Sequence, residues 1–225
     1  MSIKQAGYEL DAKAGSILTI PVRQLTESSA IDLRLSGLSD SVGLKSVQSK
    51  IENVVATANL GQHLDLDSIL KVTSGAKYNP QQFPGLLYKL KRPKTSTLLF
   101  ASGKMVCTGA VSARSAERAI ARIITELRAD GIVILKMPDV RIENIVATGD
   151  LGNRIDLENV AERLVKTIYE PEQFAGLIYR MEEPKVVFLL FTSGKFVCTG
   201  AKTRADVNLA VEKLRKNLHA NKLVL

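Results

Sequence analysis

Tryptophan is absent from the chain, aromatic residues make up only 5% of it, and cysteine and histidine occur just twice each. Two thiols, Cys107 and Cys198, cannot build a disulfide framework, and with His63 and His219 they do not form a spaced zinc-ligand set. Long hydrophobic runs are missing as well. A typical one covers only residues 186–191, far below the roughly 20 apolar residues that a membrane-spanning helix needs. The opening Met1-Ser2-Ile3-Lys4-Gln5 has no signal-peptide core, so the reading is an intracellular protein with no membrane span. No compositional bias marks a disordered, collagen-like or coiled-coil chain: 45% of the 225 residues are apolar and 24% charged. One large domain or two small ones fit that length. Lys plus Arg outnumber Asp plus Glu by 31 to 23, a net charge of +8, which favours a polyanionic partner.

An internal repeat dominates what is present. Ile51-Glu52-Asn53-Val54-Val55-Ala56-Thr57 returns as Ile142-Glu143-Asn144-Ile145-Val146-Ala147-Thr148, an offset of 91 residues. Without a gap, the same offset relates Phe83 to Phe174, Ser102-Gly103-Lys104 to Ser193-Gly194-Lys195, and Cys107-Thr108-Gly109-Ala110 to Cys198-Thr199-Gly200-Ala201. A period near ninety residues is too long for a solenoid and suits a half-domain used twice, with pseudo-twofold symmetry. The expected organisation is an N-terminal extension over 1–46, a first repeat over 47–138 and a second over 139–225. In the extension, Ile31, Leu33 and Leu35 alternate with polar residues, the pattern of a strand.

Within each repeat, short apolar runs bounded by Gly, Pro or charge read as strands: Val54-Val55-Ala56, Leu86-Leu87-Tyr88, Thr97-Leu98-Leu99-Phe100 and Met105-Val106-Cys107. The turn signals between the last three favour an antiparallel meander. Ala116, Ala119, Ile120, Ile123, Ile124 and Leu127 recur at spacings of three and four, as do Val207, Ala210, Val211, Leu214 and Leu218, so each repeat closes with an amphipathic helix. Asp65 and Asp156 can cap a second helix in each. Strand alternation puts Val106 and Thr108 on one face with Leu98 and Phe100, and Met105, Cys107 and Leu99 on the other. Two helices per repeat cover one side. The face of Asn53, Val55, Val106 and Thr108 is then left apolar, uncovered and without central charge, which a soluble protein tolerates only with a partner. A sheet covered on both sides is the alternative.

An enzyme finds little support. Ser102-Gly103-Lys104 resembles the end of a phosphate-binding loop, but Leu98 and Leu189 stand where its first glycine is required. The histidines are not repeat equivalents, and neither cysteine has a base nearby in sequence.

The motifs Glu52-Asn53-Val54-Val55-Ala56-Thr57, Tyr78-Asn79-Pro80, Phe83-Pro84-Gly85-Leu86, Phe100-Ala101-Ser102-Gly103-Lys104 and Thr108-Gly109-Ala110, with their second copies, resemble the TATA-binding proteins of archaea and eukaryotes. The match covers nearly everything after Val47. The resemblance implies an α+β fold, a pseudo-twofold saddle of two direct repeats whose curved ten-stranded antiparallel sheet carries its helices on the convex face. It implies a general transcription initiation factor, with no cofactor, that sits in the minor groove of a TATA promoter element. Asn53, Asn144, Thr108 and Thr199 would donate to base acceptors, and Val55, Val106, Val146 and Val197 would lie on the groove floor. Phe83 with Phe100, and Phe174 with Phe191, would be the wedges that kink the duplex. Phosphates would meet Lys89, Lys94, Ser102 and Lys104, and in the second repeat Arg180, Lys185, Ser193 and Lys195. Glu170 and Glu172 would bind transcription factor B, which brings RNA polymerase. The free protein could pair with itself through the same groove.

Departures from the family pattern are Lys89 in place of the more usual arginine and Ala175 where the first repeat keeps Pro84. The two halves also differ in charge, net +6 over 51–141 against +1 over 142–225, an asymmetry by which a partner can tell similar ends apart. The close likeness of the halves looks archaeal, which would place the protein with the cytoplasmic nucleoid; a eukaryotic source would place it in the nucleus. The competing reading is a paralogue of the family that works through protein contacts and binds TATA poorly.

Overall fold

A computed structural model describes residues 47–225; the strand expected around Ile31, Leu33 and Leu35 lies outside them. The first repeat runs β1 (Ser49–Asn59), α1 (Leu66–Val72), β2 (Ala76–Lys77), β3 (Gly85–Lys91), β4 (Lys94–Phe100), β5 (Lys104–Ala110) and α2 (Ala113–Ala129). The second repeats that order: β6 (Val140–Asp150), α3 (Leu157–Arg163), β7 (Thr167–Ile168), β8 (Leu177–Met181), β9 (Val186–Leu190), β10 (Lys195–Ala201) and α4 (Arg204–Ala220). All ten strands join one antiparallel sheet in the order β2-β3-β4-β5-β1-β6-β10-β9-β8-β7. The order is a palindrome about the β1–β6 pair, so the symmetry axis of the sequence repeat passes between those two strands.

Local chemistry explains the elements. Asp65 caps α1 by accepting from the Asp67 and Ser68 amides, and Asp156 caps α3 through the Asn159 amide. Hydrogen bonds from Ser68 and Asn159 in turn hold each carboxyl below its ordinary range. Helix α2 buries the whole predicted stripe from Ala116 to Leu127 against the sheet, and α4 does the same with Val207 to Leu218. Each isoleucine or leucine so buried contributes about 1.5–3 kcal/mol. Their counterparts in the strands are every second residue: Leu86, Tyr88 and Leu90 in β3, Leu99 in β4, Met105 and Cys107 in β5. One continuous core therefore lies on a single side of the sheet. Leu87, Leu98 and Val106, of the opposite parity, are half-buried on a face that carries no helix.

Candidate nucleic-acid interface

Cross-strand pairing orders this helix-free face into rows. One row of the first repeat runs Lys77, Leu87, Leu98, Val106, Thr57, Arg141. Its symmetric counterpart runs Ile168, Ile178, Leu189, Val197, Thr148, Lys50. Beside them lie Lys89, Ser96, Thr108 in one repeat and Arg180, Val187, Thr199 in the other. The strand alternation read from the sequence thus places Leu98, Val106 and Thr108 on the correct face. Arg141 and Lys50, related by the same offset of 91, were not singled out from the sequence, although their matched positive charge was a signal for them.

The asparagines are locked in a matched geometry. The Oδ1 of Asn53 accepts from the Gly109 amide at 2.8 Å and from the Thr108 hydroxyl at 3.3 Å. Across the axis, Asn144 Oδ1 accepts from the Gly200 amide at 2.7 Å, and its Nδ2 lies 3.1 Å from the Thr199 hydroxyl. A backbone N–H can only donate, so it fixes which end of each carboxamide is the oxygen and leaves the NH₂ end as the available donor. Gly109 and Gly200 reach this position at φ of 90° and 101°, a backbone region that other residues adopt only with strain. Both repeats consequently present a pre-aimed amide donor beside a threonine hydroxyl.

The four phenylalanines assemble as predicted pairs. Phe83 and Phe100 have ring centroids 6.0 Å apart in an edge-to-face arrangement, and Phe174 and Phe191 are 6.1 Å apart in the same arrangement. All four rings are partly exposed. The chain passes beneath each pair at a glycine: a Cβ at Gly85 would stand 2.6 Å from Phe83 and 3.0 Å from Phe100, and one at Gly176 would stand 2.6 Å from Phe174 and 3.1 Å from Phe191. The equivalent ring packing shows that Ala175, in place of the first repeat's proline, leaves the pair geometry intact.

Two expectations need correction. The valines at the centre are not open to solvent: Val55, Val146 and Val197 are 3%, 4% and 8% exposed, though none belongs to the core beneath the helices. These three are hidden although no helix covers them, while Val106 remains half-buried. Nor is the centre free of charge. In the β1–β6 ladder, Ile51 pairs with Ala147 and Asn53 with Val146, while Val55 pairs with Asn144 and Ala56 with Ile142. Glu52 and Glu143 are thus the extra residues of two symmetric β-bulges. Their carboxylates accept from the opposite repeat, Glu143 from Thr57 at 2.8 Å and Glu52 from Thr148 at 3.0 Å. Simple alternation cannot see a bulge, which is why both were missed.

The remaining predicted residues lie at the surface. Lys89, Lys94, Lys104, Arg180, Lys185 and Lys195 are exposed and form no ion pair among the described residues; Ser102 and Ser193 are exposed in turns. Glu170 and Glu172 are exposed in the segment between β7 and β8, just after the edge strand and away from the central asparagines. Cys107 and Cys198 are fully buried in the core, where burial pushes both thiols up, that of Cys198 to about 12.

Comparison with known proteins agrees with this arrangement. A family profile described as transcription factor TFIID, or TATA-binding protein, matches residues 48–129 and 139–220. The chain is 50% identical to the TATA-box-binding protein of Methanothermobacter thermautotrophicus over 76% of its own length and 95% of the relative's. With the TATA-box-binding protein of Pyrococcus horikoshii it is 44% identical over 81% and 96% of the two chains. The solved structure of Methanococcus jannaschii TBP superposes with a TM-score of 0.72 at 44% identity, covering 77% of this chain and 99% of that one. The fold is the saddle of these proteins, with the helix-free face as its concave side. By profile, by relatives and by fold, the chain belongs to the TATA-binding protein family of transcription factors.

Proposed function

We propose that the chain is a general transcription initiation factor whose concave face binds the minor groove of an A·T-rich TATA element and bends the duplex. The observation that carries this reading is the matched pair of locked carboxamides. An A·T minor groove presents only acceptors, adenine N3 and thymine O2, and Asn53 and Asn144 offer donors whose orientation is already fixed. Thr108 and Thr199 extend that donor set by turning their hydroxyls from the carboxamides onto the bases. Val55, Val106, Val146 and Val197 supply an apolar floor against which the amino group of a guanine would collide. Phe83 with Phe100, and Phe174 with Phe191, enter and unstack a base step at each end, the wedge mechanism already known for this family. Flexible T-A steps lower the cost of the deformation. Lys89, Lys94 and Lys104, with Arg180, Lys185 and Lys195, meet phosphates, assisted by Ser102 and Ser193.

At the second-repeat end, Glu170 and Glu172 receive a basic surface of transcription factor B, which brings in RNA polymerase. The first repeat has Asn79 and Gln81 at those places, so only one end of the saddle offers the acidic pair.

The test is equilibrium binding to a duplex with dyes at both ends. Tight, salt-sensitive binding with a shortened end-to-end distance is expected on TATA, lost on a G·C control and weakened by Phe83→Ala and Phe191→Ala. Sequence-blind or weak binding would instead favour the paralogue that works through protein contacts. Charge reversal at Glu170 and Glu172 should leave DNA binding in place and abolish the ternary complex with factor B; an intact ternary complex would remove that assignment.

A further inference from the structure

The two long rows of the concave face match chemically except at one end. From Leu87 inward the first repeat has Leu, Leu, Val, Thr and a cation, Arg141; from Ile178 inward the second has Ile, Leu, Val, Thr and a cation, Lys50. At the outermost position, on the edge strands β2 and β7, the first repeat has Lys77 and the second Ile168. Both side chains share the concave parity. Ala76, the neighbour of Lys77, packs against the core on the other side, and Thr167, the neighbour of Ile168, donates to the Ala161 and Leu164 carbonyls behind β7. Lys77 is exposed and has no hydrogen-bond or ion-pair partner among the described residues; Ile168 is 47% exposed. Four strand spacings separate Lys77 from Thr57, roughly 19 Å. Strand β2 lies outboard of β3 and β4; Phe100 ends β4, and its partner Phe83 stands two residues before β3.

We propose that Lys77 grips a DNA phosphate beyond the first-repeat wedge, and that Ile168 leaves the second-repeat end without this grip, so that one end of the saddle holds one phosphate more than the other. This inference rests on the minor-groove reading above. A cation at the rim of a groove-binding face, with nothing of opposite sign to occupy it, exchanges solvent counterions for phosphate at little conformational cost. The isoleucine at the symmetric place cannot do so. Its exposed apolar surface continues the row of Ile178 and Leu189 and suits a sugar edge.

The test is the dependence of TATA-duplex affinity on potassium chloride, measured with the full chain. Each phosphate contact adds about 0.9 to the slope of log affinity against log salt. Lys77→Ala should lower the slope by about 0.9, Lys77→Arg should preserve it, and Ile168→Lys should raise it by a similar amount, all with unchanged thermal midpoints. On a duplex trimmed to the A·T-rich element, wild type and Lys77→Ala should converge, because the outboard phosphate is gone. An unaltered slope for Lys77→Ala on the long duplex, with wild-type binding intact, overturns the additional grip. A wild type that fails to bind TATA with any salt dependence would overturn the minor-groove reading itself.

Discussion

The two repeats are near copies on their concave side and different proteins behind it. Under α2 the first repeat packs Tyr88, Thr97 and Met105; under α4 the second packs Tyr179, Phe188 and Phe196 at the same three positions. In the second repeat Phe188 stacks on Tyr179 at 6.5 Å and meets Phe196 edge-on at 5.7 Å. The first repeat has instead a polar network, in which the Tyr88 hydroxyl donates to Glu126 at 2.7 Å and Arg122 donates to the same carboxylate at 2.7 Å. Asn217 and Lys213 stand at those places in the second repeat and form no such link. The difference shows which surface is constrained. Under the proposed function, a face that fits one regular ligand twice keeps its amides, valines and phenylalanines, whereas a core needs only the right volume and satisfied polar groups.

The largest effect should come from removing the centre of the aromatic core. Phe188→Ala should cost about 3–5 kcal/mol in denaturant unfolding, against far less for Thr97→Ala at the symmetric place; equal costs would mean that the two cores do not differ as described. A second experiment exchanges one repeat's solution for the other's. Gly149 faces Phe196 so closely that a Cβ would lie 2.7 Å from the ring's Cε1, whereas the first repeat pairs Ala58 with Met105. A Cβ at Gly149 would also stand 2.9 Å from the Gln48 carbonyl oxygen, so Gly149→Ala should destabilise by about 1–3 kcal/mol, and Phe196→Met should suppress only the part owed to the ring in the double variant. Simple additivity of the two changes would break the comparison.

A smaller effect of opposite sign is expected at Thr97, whose buried hydroxyl has no oxygen or nitrogen partner among the described residues and faces only the weakly accepting Cys107 thiol across the ladder. Thr97→Val keeps the shape, removes the unsatisfied group and should raise stability by about 1 kcal/mol. The smallest effect is the pH dependence carried by the Tyr88, Glu126 and Arg122 network, which the second repeat lacks. Burial raises the Glu126 carboxyl, but hydrogen bonds from Arg122 and Tyr88 outweigh it and hold the group below the usual carboxylate range. Burial and the bond to Glu126 push the Tyr88 hydroxyl up. A carboxyl depressed in the folded state contributes stability above the unfolded value of about 4.3 and loses it as pH falls through the lower folded value. Glu126→Gln should flatten the stability profile below about pH 4.3; the symmetric Asn217→Ala should leave its slope unchanged.

The amino-acid sequence by itself determined the repeat, the order of its main strands and helices, the capping aspartates and the alternating faces of Leu98, Leu99, Met105, Val106, Cys107 and Thr108. Period-two and period-3.6 patterns are local and survive in any fold that buries one side. It also displayed the candidate site residues in pairs, because duplication shows each twice: Asn53 with Asn144, Thr108 with Thr199, Phe83 with Phe174. Only the tertiary structure decided how β1 meets β6. That pairing joins residues of different repeats, inserts Glu52 and Glu143 as bulges, brings their carboxylates to Thr148 and Thr57, and sets Val55 and Val146 in a ladder where both are almost fully buried. Bulge position and sheet curvature depend on register between strands some ninety residues apart, a relation that no local pattern along either strand encodes.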